Sequence, residues 1–321
     1  MALEAVYRYE GEAIDYTPAA ALTGGQVIQL ADGRAAVSPT DLAAGVKGAV
    51  QVCGVYRLLK TASIVILDGG KVFWDHSANK AHYKTVNDRD FYVGTAVGDS
   101  ASSDTTVDVA FNRLPAYLVD INRDPVISAT AGTAAAGGFG YPVRLGGSSV
   151  LELTATNEAQ KVDLLSVDGF AVGANAIVEG AFRVISDGAG TVVDVSLGVA
   201  NATHTTDADS IAESCFIHLD ANNTNINAES DDGTTEVAAT DTTLDYTEGS
   251  ALASRVEFWM DLRDPTDIQI YVNGALVLGS TVFKLDAATG PLFLLAHVEK
   301  TSSTDTYKIA VDWLRARIAE Q

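Results

Sequence analysis

Stretches in which apolar and polar residues alternate with a period of two, closed off by tight-turn dipeptides, recur along this chain. Val193, Val195, Leu197 and Val199 fall on one side of their stretch, with Asp194, Ser196 and Gly198 on the other. Val256, Phe258, Met260 and Leu262 alternate with Glu257, Trp259 and Asp261. Tyr307, Ile309, Val311 and Trp313 alternate with Lys308, Ala310 and Asp312. Successive side chains of a strand point to opposite faces, so this pattern suits strands with one buried face; a helix needs spacings of three and four. Between such stretches stand Asp32-Gly33, Asp68-Gly69, Asp168-Gly169, Asp187-Gly188, Asp232-Gly233 and Asn273-Gly274. These pairs tolerate the positive φ angles of tight hairpins. Helical signal is confined to residues 40–44, after Ser38-Pro39. The fold class expected is all-β, with antiparallel pairing.

A chain of 321 residues is long enough for two domains, each with its own core. The first pattern ends at Asn112, and residues 129–149 are rich in Ala, Gly, Thr and Ser. Such composition reads as a linker. A first domain is therefore expected at 1–115, a Gly/Ala-rich connector at 116–148 and a second domain at 149–321. No repeat of fixed period is present, which argues against a solenoid or propeller.

Charge separates the two parts. The whole chain carries a formal net of −21. Residues 1–117 hold 10 Lys/Arg against 13 Asp/Glu, and the rest hold 11 against 29, nets of −3 and −18. Residues 184–254 contain neither Lys nor Arg. A field of that sign repels phosphate backbones, so direct nucleic-acid binding is not expected. Cys53 and Cys215 fall in different halves and do not suggest a disulfide framework; Cys53, in an apolar strand pattern, is expected to be a buried thiol. The N-terminus lacks a secretory pattern, and the longest apolar run, residues 292–296, is far short of the ~20 residues that span a bilayer. No membrane association is expected, and synthesis in a cytoplasm is.

Motifs for chemistry are sparse. None of the five histidines has a close metal-ligand spacing, and His76 and His82 are too few for zinc. Gly98-Asp99-Ser100 has the look of a hydrolase nucleophile block, but no Asp stands three residues before a His, and no Gly-x-Ser-x-Gly elbow exists. Glu229 and Asp231, followed by Glu236, come nearest to paired glycosidase carboxylates, with Asp232-Gly233 turning the chain between them. Asp220, Asn222, Thr224 and Asp231 imitate part of a calcium loop, with Asn225 where Gly is needed. No phosphate-binding loop or dinucleotide fingerprint is present. The expectation is no catalytic residue, no metal, no cofactor and no enzymatic activity. Trp74 and Trp313 read as core; Trp259 lies on the polar side of its stretch and is the tryptophan placed to meet a glycan or partner.

The order and phrasing of the first 115 residues carry a resemblance. They run from Tyr7-Arg-Tyr-Glu-Gly-Glu through Val-Cys-Gly54-Val-Tyr-Arg-Leu and Gly70-Lys-Val-Phe-Trp-Asp75 to Tyr-Val-Gly94-Thr-Ala and Val107-Asp-Val-Ala-Phe-Asn112. This resembles the capsid cement, or head decoration, proteins of tailed bacteriophages. The second part, through Glu179-Gly-Ala-Phe-Arg-Val, Arg255-Val-Glu-Phe-Trp-Met-Asp-Leu and Ile268-Gln-Ile-Tyr-Val-Asn-Gly, resembles a concanavalin-like jelly roll. The resemblance implies a small N-terminal β-barrel or β-sandwich followed by an antiparallel jelly-roll sandwich. It also implies a structural virion protein on the outer capsid surface, bridging adjacent capsomers. The partners implied are the major capsid protein and other copies of the chain, as a homotrimer or, second, a dimer. An outward-facing acidic domain would then be able to meet host surface glycans, and a carbohydrate-binding module is the alternative reading. Tyrosines suit interfaces, so Tyr7, Tyr9 and Tyr16 in the stretch 6–17 are the expected grip on shell or neighbour.

Overall fold

A computed structural model describes residues 12–122, 126–140, 148–188, 190, 192–203 and 207–318. The chain divides into two compact units, Met1–Ala116 and Tyr117–Gln321. Strands dominate both, and among the described residues the helical turns are short 3-10 segments at Ala208–Ser210 and Leu252–Ser254. No described helix is long and apolar enough to cross a membrane.

The first unit contains β1 (Ala13–Tyr16), β2 (Val27–Gln29), β3 (Ala35–Val37), β4 (Gly48–Gln51), β5 (Val55–Leu59), β6 (Lys71–Asp75), β7 (Lys80–His82), β8 (Phe91–Ala96) and β9 (Thr106–Phe111). They build a four-stranded sheet, β1-β4-β3-β2, and a five-stranded sheet, β5-β9-β8-β6-β7. Leu30, Ala36, Val50 and Val52 pack together in the first, with Ile14, Tyr16, Ile28 and Leu42 against them. Val72, Trp74, Phe91, Val93, Val107, Val109 and Phe111 are buried in the second. Asn112 adopts a left-handed φ of 57°, which asparagine tolerates better than most residues. From there its Oδ1 accepts from Ala35 N at 2.9 Å, and its Nδ2 donates to the carbonyls of Ala35 and Val52. One side chain thus satisfies backbone groups beside β3 and β4 that would otherwise be left without partners.

Residues 40–44 are not helical. The N–H and C=O of Leu42 pair with Leu22 at 2.9 and 2.8 Å, so a long-range bridge takes the groups that a helix would use.

The second unit contains β10 (Val119–Asp120), β11 (Val126–Ala131), β12 (Ala135–Gly140), β13 (Ser148–Leu153), β14 (Glu158–Ser166), β15 (Ala176–Ser186), β16 (Val193–Ala200), β17 (Glu213–Asp220), β18 (Asn225–Asp232), β19 (Glu236–Asp245), β20 (Val256–Asp261), β21 (Gln269–Val272), β22 (Ala275–Val277), β23 (Phe293–Ser303) and β24 (Tyr307–Ile318). An eight-stranded sheet runs β12-β13-β24-β15-β20-β21-β22, with β10 also on β24; a seven-stranded sheet runs β11-β14-β23-β16-β17-β18-β19. Phe182, Phe258, Met260, Tyr307 and Ile309 from the first meet Val162, Leu164, Val195, Leu197, Ile217 and Leu294 from the second in one core. This is the antiparallel sandwich that the resemblance implies, built from the half-buried strands that the alternation predicts. Asn273 and Gly274 both take positive φ, 49° and 82°, at the turn between β21 and β22, the geometry of a type I′ hairpin.

Two further expectations need correction. Residues 116–148 are not a connector: β10, β11 and β12 lie within them, β11 pairs with β14 and β12 with β13, and Val119 and Ile121 enter the core. β11 and β12 are the edges of the two sheets, where backbone hydrogen bonds need no large side chains, so an Ala- and Gly-rich stretch suffices. Trp313 is not in the core. Ala181 pairs with Trp313 but the next residue, Phe182, pairs with Val311, so Asp312 is an extra residue in β24. Such a bulge reverses the alternation beyond it, burying Leu314 and Ala316 and turning Trp313 to the outer face.

Gly198 in β16 faces the backbone of β17 with no room for a side chain. A Cβ there would lie 2.1 Å from the Cys215 carbonyl oxygen. Gly198→Ala is expected to lower stability by about 1–3 kcal/mol through overpacking, read as a lower urea midpoint at unchanged m-value. An unchanged midpoint would mean that the ladder widens freely.

Candidate functional site

Of the residues expected at an interface, Tyr7 and Tyr9 lie outside the described residues. Tyr16 is half-buried at the end of β1, packed against the Leu30, Ala36, Val50 and Val52 cluster. The first unit also presents an edge strand, β5, whose Val55 and Leu59 are 59% and 60% exposed. Between them Arg57 forms a forked pair with Asp108 of β9, both contacts at 2.8 Å.

Trp259 lies on the outer face of the eight-stranded sheet, because its neighbours Phe258 and Met260 point inward. Its cross-strand partner is Tyr271, with ring centroids 6.3 Å apart. The same face carries most of the cationic side chains that this acidic unit places in its sheets. Arg315 lies 4.1 Å from the Tyr117 ring and 4.9 Å from that of Trp313, and Arg255 lies 4.8 Å from the Trp313 ring. Glu179 accepts from Tyr117 Oη at 2.7 Å and pairs with Arg315 and Arg317. Stacked guanidinium and aromatic groups of this kind attract through the ring quadrupole.

The outer face of the seven-stranded sheet holds a group that spacing in the sequence does not reveal. Register sets Asp163, His297, Ser196, His218 and Asn227 in one row across β14, β23, β16, β17 and β18. His297 and Ser196 are fully buried, and His218 is 3% exposed. Above the row, the 3-10 turn Ala208–Ser210 folds down as Ala208 and Ile211 pack on Ala200, Phe216 and Leu295. That turn is held by Asp207, whose carboxylate accepts from Asp209 N at 3.0 Å, and it brings Asp209 to His218. His218 Nε2 bonds Asp220 Oδ1 at 3.1 Å, while Nδ1 lies 3.4 Å from both Asp209 Oδ1 and Glu229 Oε1. His297 Nδ1 sits 2.5 Å from Asp163 Oδ1.

These surroundings move the titrations. Burial disfavours charge on His218, but Asp209, Asp220 and Glu229 outweigh it and the imidazole is pushed up to about 12. Burial pushes Glu229 up, although His218 pulls the other way. Burial likewise raises Asp194 to about 6. His297 is raised by Asp163 and Glu299 against the burial penalty.

The other motifs disperse or resolve into turns. Asp220 pairs with Asp194 and Asp231 with Ser214, so the calcium-like residues sit at opposite ends of the β17–β18 hairpin. Asp231 and Glu236 face each other across the next hairpin, and Glu229 turns to His218 instead. Asp99 Oδ1 accepts from Asp68 N while Asp68 Oδ1 accepts from Gly98 N, a mutual brace between two turns.

The span of β1 to β9 coincides with what comparison of the sequence reveals. Residues 9–111 match the phage cement protein family. The match therefore begins just before β1 and ends at the last residue of β9. No curated protein matches the chain. Among solved structures, the carbohydrate recognition domain of Emp47p is similar at 12% identity, covering 62% of this chain and 93% of that one with a TM-score of 0.43. A glycoside hydrolase family protein from Mycobacterium thermorestibile gives 10% identity, 63% and 100% coverage and a TM-score of 0.41. LamAcat from Zobellia galactanivorans gives 14%, 54% and 80%, and 0.37.

A folded-state pKa above the ordinary imidazole value means that His218 stabilises fully below about pH 6.5 and loses that contribution as pH rises toward 12. His218→Gln, which leaves the facing carboxylates of Asp194, Asp209, Asp220 and Glu229 uncompensated, is expected to cost about 3–5 kcal/mol at pH 6 and clearly less at pH 10. Urea unfolding at both pH values measures it, and an equal penalty at the two would remove the imidazolium from the account.

Proposed function

We propose that this chain is a structural protein of a phage virion that binds the assembled capsid through its first unit and braces adjacent capsomers. The observation that carries the reading is the cement-family match over residues 9–111, which spans both sheets of the first unit. Exposed Val55 and Leu59 on the edge strand β5 offer apolar area to a shell subunit, and Tyr7, Tyr9 and Tyr16 are proposed to add to the grip. Assembly as a trimer, with a dimer second, multiplies modest contacts, since several linked sites hold far better than one. The acidic second unit faces outward on the capsid surface, where its net of −18 keeps it off the shell's nucleic acid and off its neighbours.

Co-sedimentation of the purified full chain with empty shells tests this directly. Residues 13–16 pair with β4, so a deletion that spares the sheets removes only residues 1–11. That deletion, and the double variant Val55→Asp with Leu59→Asp, are each expected to reduce retention at least about tenfold, a loss of roughly 1.4 kcal/mol. Wild-type occupancy by both would reject this face and residues 1–11 as the grip.

The Trp259–Tyr271 pair on the outer sheet face favours a second reading, in which the second unit binds host surface glycans by stacking. On a glycan array, the full chain then binds and Trp259→Ala does not; an array blank for both removes the reading.

A further inference from the structure

We infer that Asp209, His218 and Glu229 form a binding site for one divalent first-row metal ion of the Zn2+ kind. The three side chains come from the 3-10 turn, β17 and β18, and their ligand atoms lie within 4.8 Å of one another. The distances from His218 Nδ1 to Asp209 Oδ1 and Glu229 Oε1 are both 3.4 Å. That is long for a charge-assisted hydrogen bond, which closes to about 2.7–2.9 Å. It equals the edge of a tetrahedron around an ion bonded at about 2.0–2.2 Å, roughly 3.3–3.6 Å.

A second observation points the same way. Among the described residues, His218 Nδ1 and Glu229 Oε1 are buried without a hydrogen-bond partner, on side chains 3% and 7% exposed. Ser196 Oγ, fully buried between the two histidines in register, also has none. Buried polar atoms are costly to leave so. An ion among the three ligands satisfies the first two atoms at once.

The other nitrogen is already committed. His218 Nε2 bonds Asp220 Oδ1, and Asp220 Oδ2 accepts from Asn227 Nδ2 at 3.4 Å. A carboxylate on one ring nitrogen holds the tautomer whose lone pair faces a metal on the other, the usual support of a ligating histidine. Asp220 is therefore a positioning residue. A ligand set of one imidazole and two carboxylates suits Zn2+ or its first-row neighbours better than Ca2+, which takes oxygen ligands in larger number. Asp209 stands at the solvent edge, half exposed, so an ion has a way in. Residues 184–254 hold no Lys or Arg, so no ammonium or guanidinium from that stretch competes for these carboxylates. A proton on His218 is the competitor, and metal binding must release it.

The test is calorimetric titration of the full chain, first stripped with chelator, with ZnCl2 at pH 7.5. Binding of one ion per chain is expected, with a heat that varies with buffer in the manner of proton release. Asp209→Asn and Glu229→Gln should each weaken it at least about 100-fold, and Asp220→Asn by about 10–100-fold. Asp209 lies in an exposed turn, so its variant keeps the fold, which circular dichroism checks. Excess Ca2+ should leave Zn2+ in place. Absence of saturable binding below about 1 mM, wild-type affinity in Asp209→Asn, or displacement by Ca2+ as from a diffuse acidic surface, each overturns the site.

Discussion

Two antiparallel sheets that share one dry interior place a strict rule on every strand of the second unit. One side chain in two must be apolar and inward, so whatever polar chemistry the chain carries is forced onto an outer face. Cross-strand neighbours on such a face stand about 4.5–5.5 Å apart, close enough for ligating or ion-pairing atoms to meet. The row from Asp163 to Asn227 is a product of that rule. So is the stack of Arg255, Trp313 and Arg315 on the opposite side.

The two outer faces answer the same electrostatic problem differently. On the eight-stranded sheet, guanidinium groups pair with Glu179, Glu257 and Asp312, and aromatic rings cover them. On the seven-stranded sheet the carboxylates of Asp194, Asp209, Asp220 and Glu229 all come from a stretch without Lys or Arg, and His218 is the cationic centre among them. Taking such groups out of water is expensive unless each charge has a partner. The apolar patch of Ala208, Ile211, Phe216 and Leu295 nonetheless closes over this face. A buried, charge-dense cluster held by a short turn is an arrangement that a cation, proton or metal, stabilises.

Much of the architecture was legible beforehand. The alternation at Val193 to Val199 and at Val256 to Leu262 translates directly into inward rows, and Asn273-Gly274 into a hairpin. Trp259 was placed on an outer face by parity alone. Parity failed at Trp313 because one added residue in β24 reverses it, and nothing in the local sequence announces a bulge. Composition failed at residues 116–148, since small side chains serve an edge strand as well as a linker. His218 and Glu229 each stood on the polar side of an alternating stretch, which is the signal that was available. Their sequence spacing matches no metal motif because the ligands are collected across strands rather than along one.

Sequence by itself determined the strand-rich character of the chain, its uneven charge and the likeness of residues 9–111 to the phage cement family, since periodicity, composition and local phrasing are properties of contiguous residues. Tertiary structure alone decided which strands became neighbours. Pairing β17 with β16 and β18, and folding the 208–210 turn over them, set Asp209, His218 and Glu229 within reach of one another. Register is a relation between distant segments, fixed by the burial of whole faces at once, and no single stretch of the chain contains it.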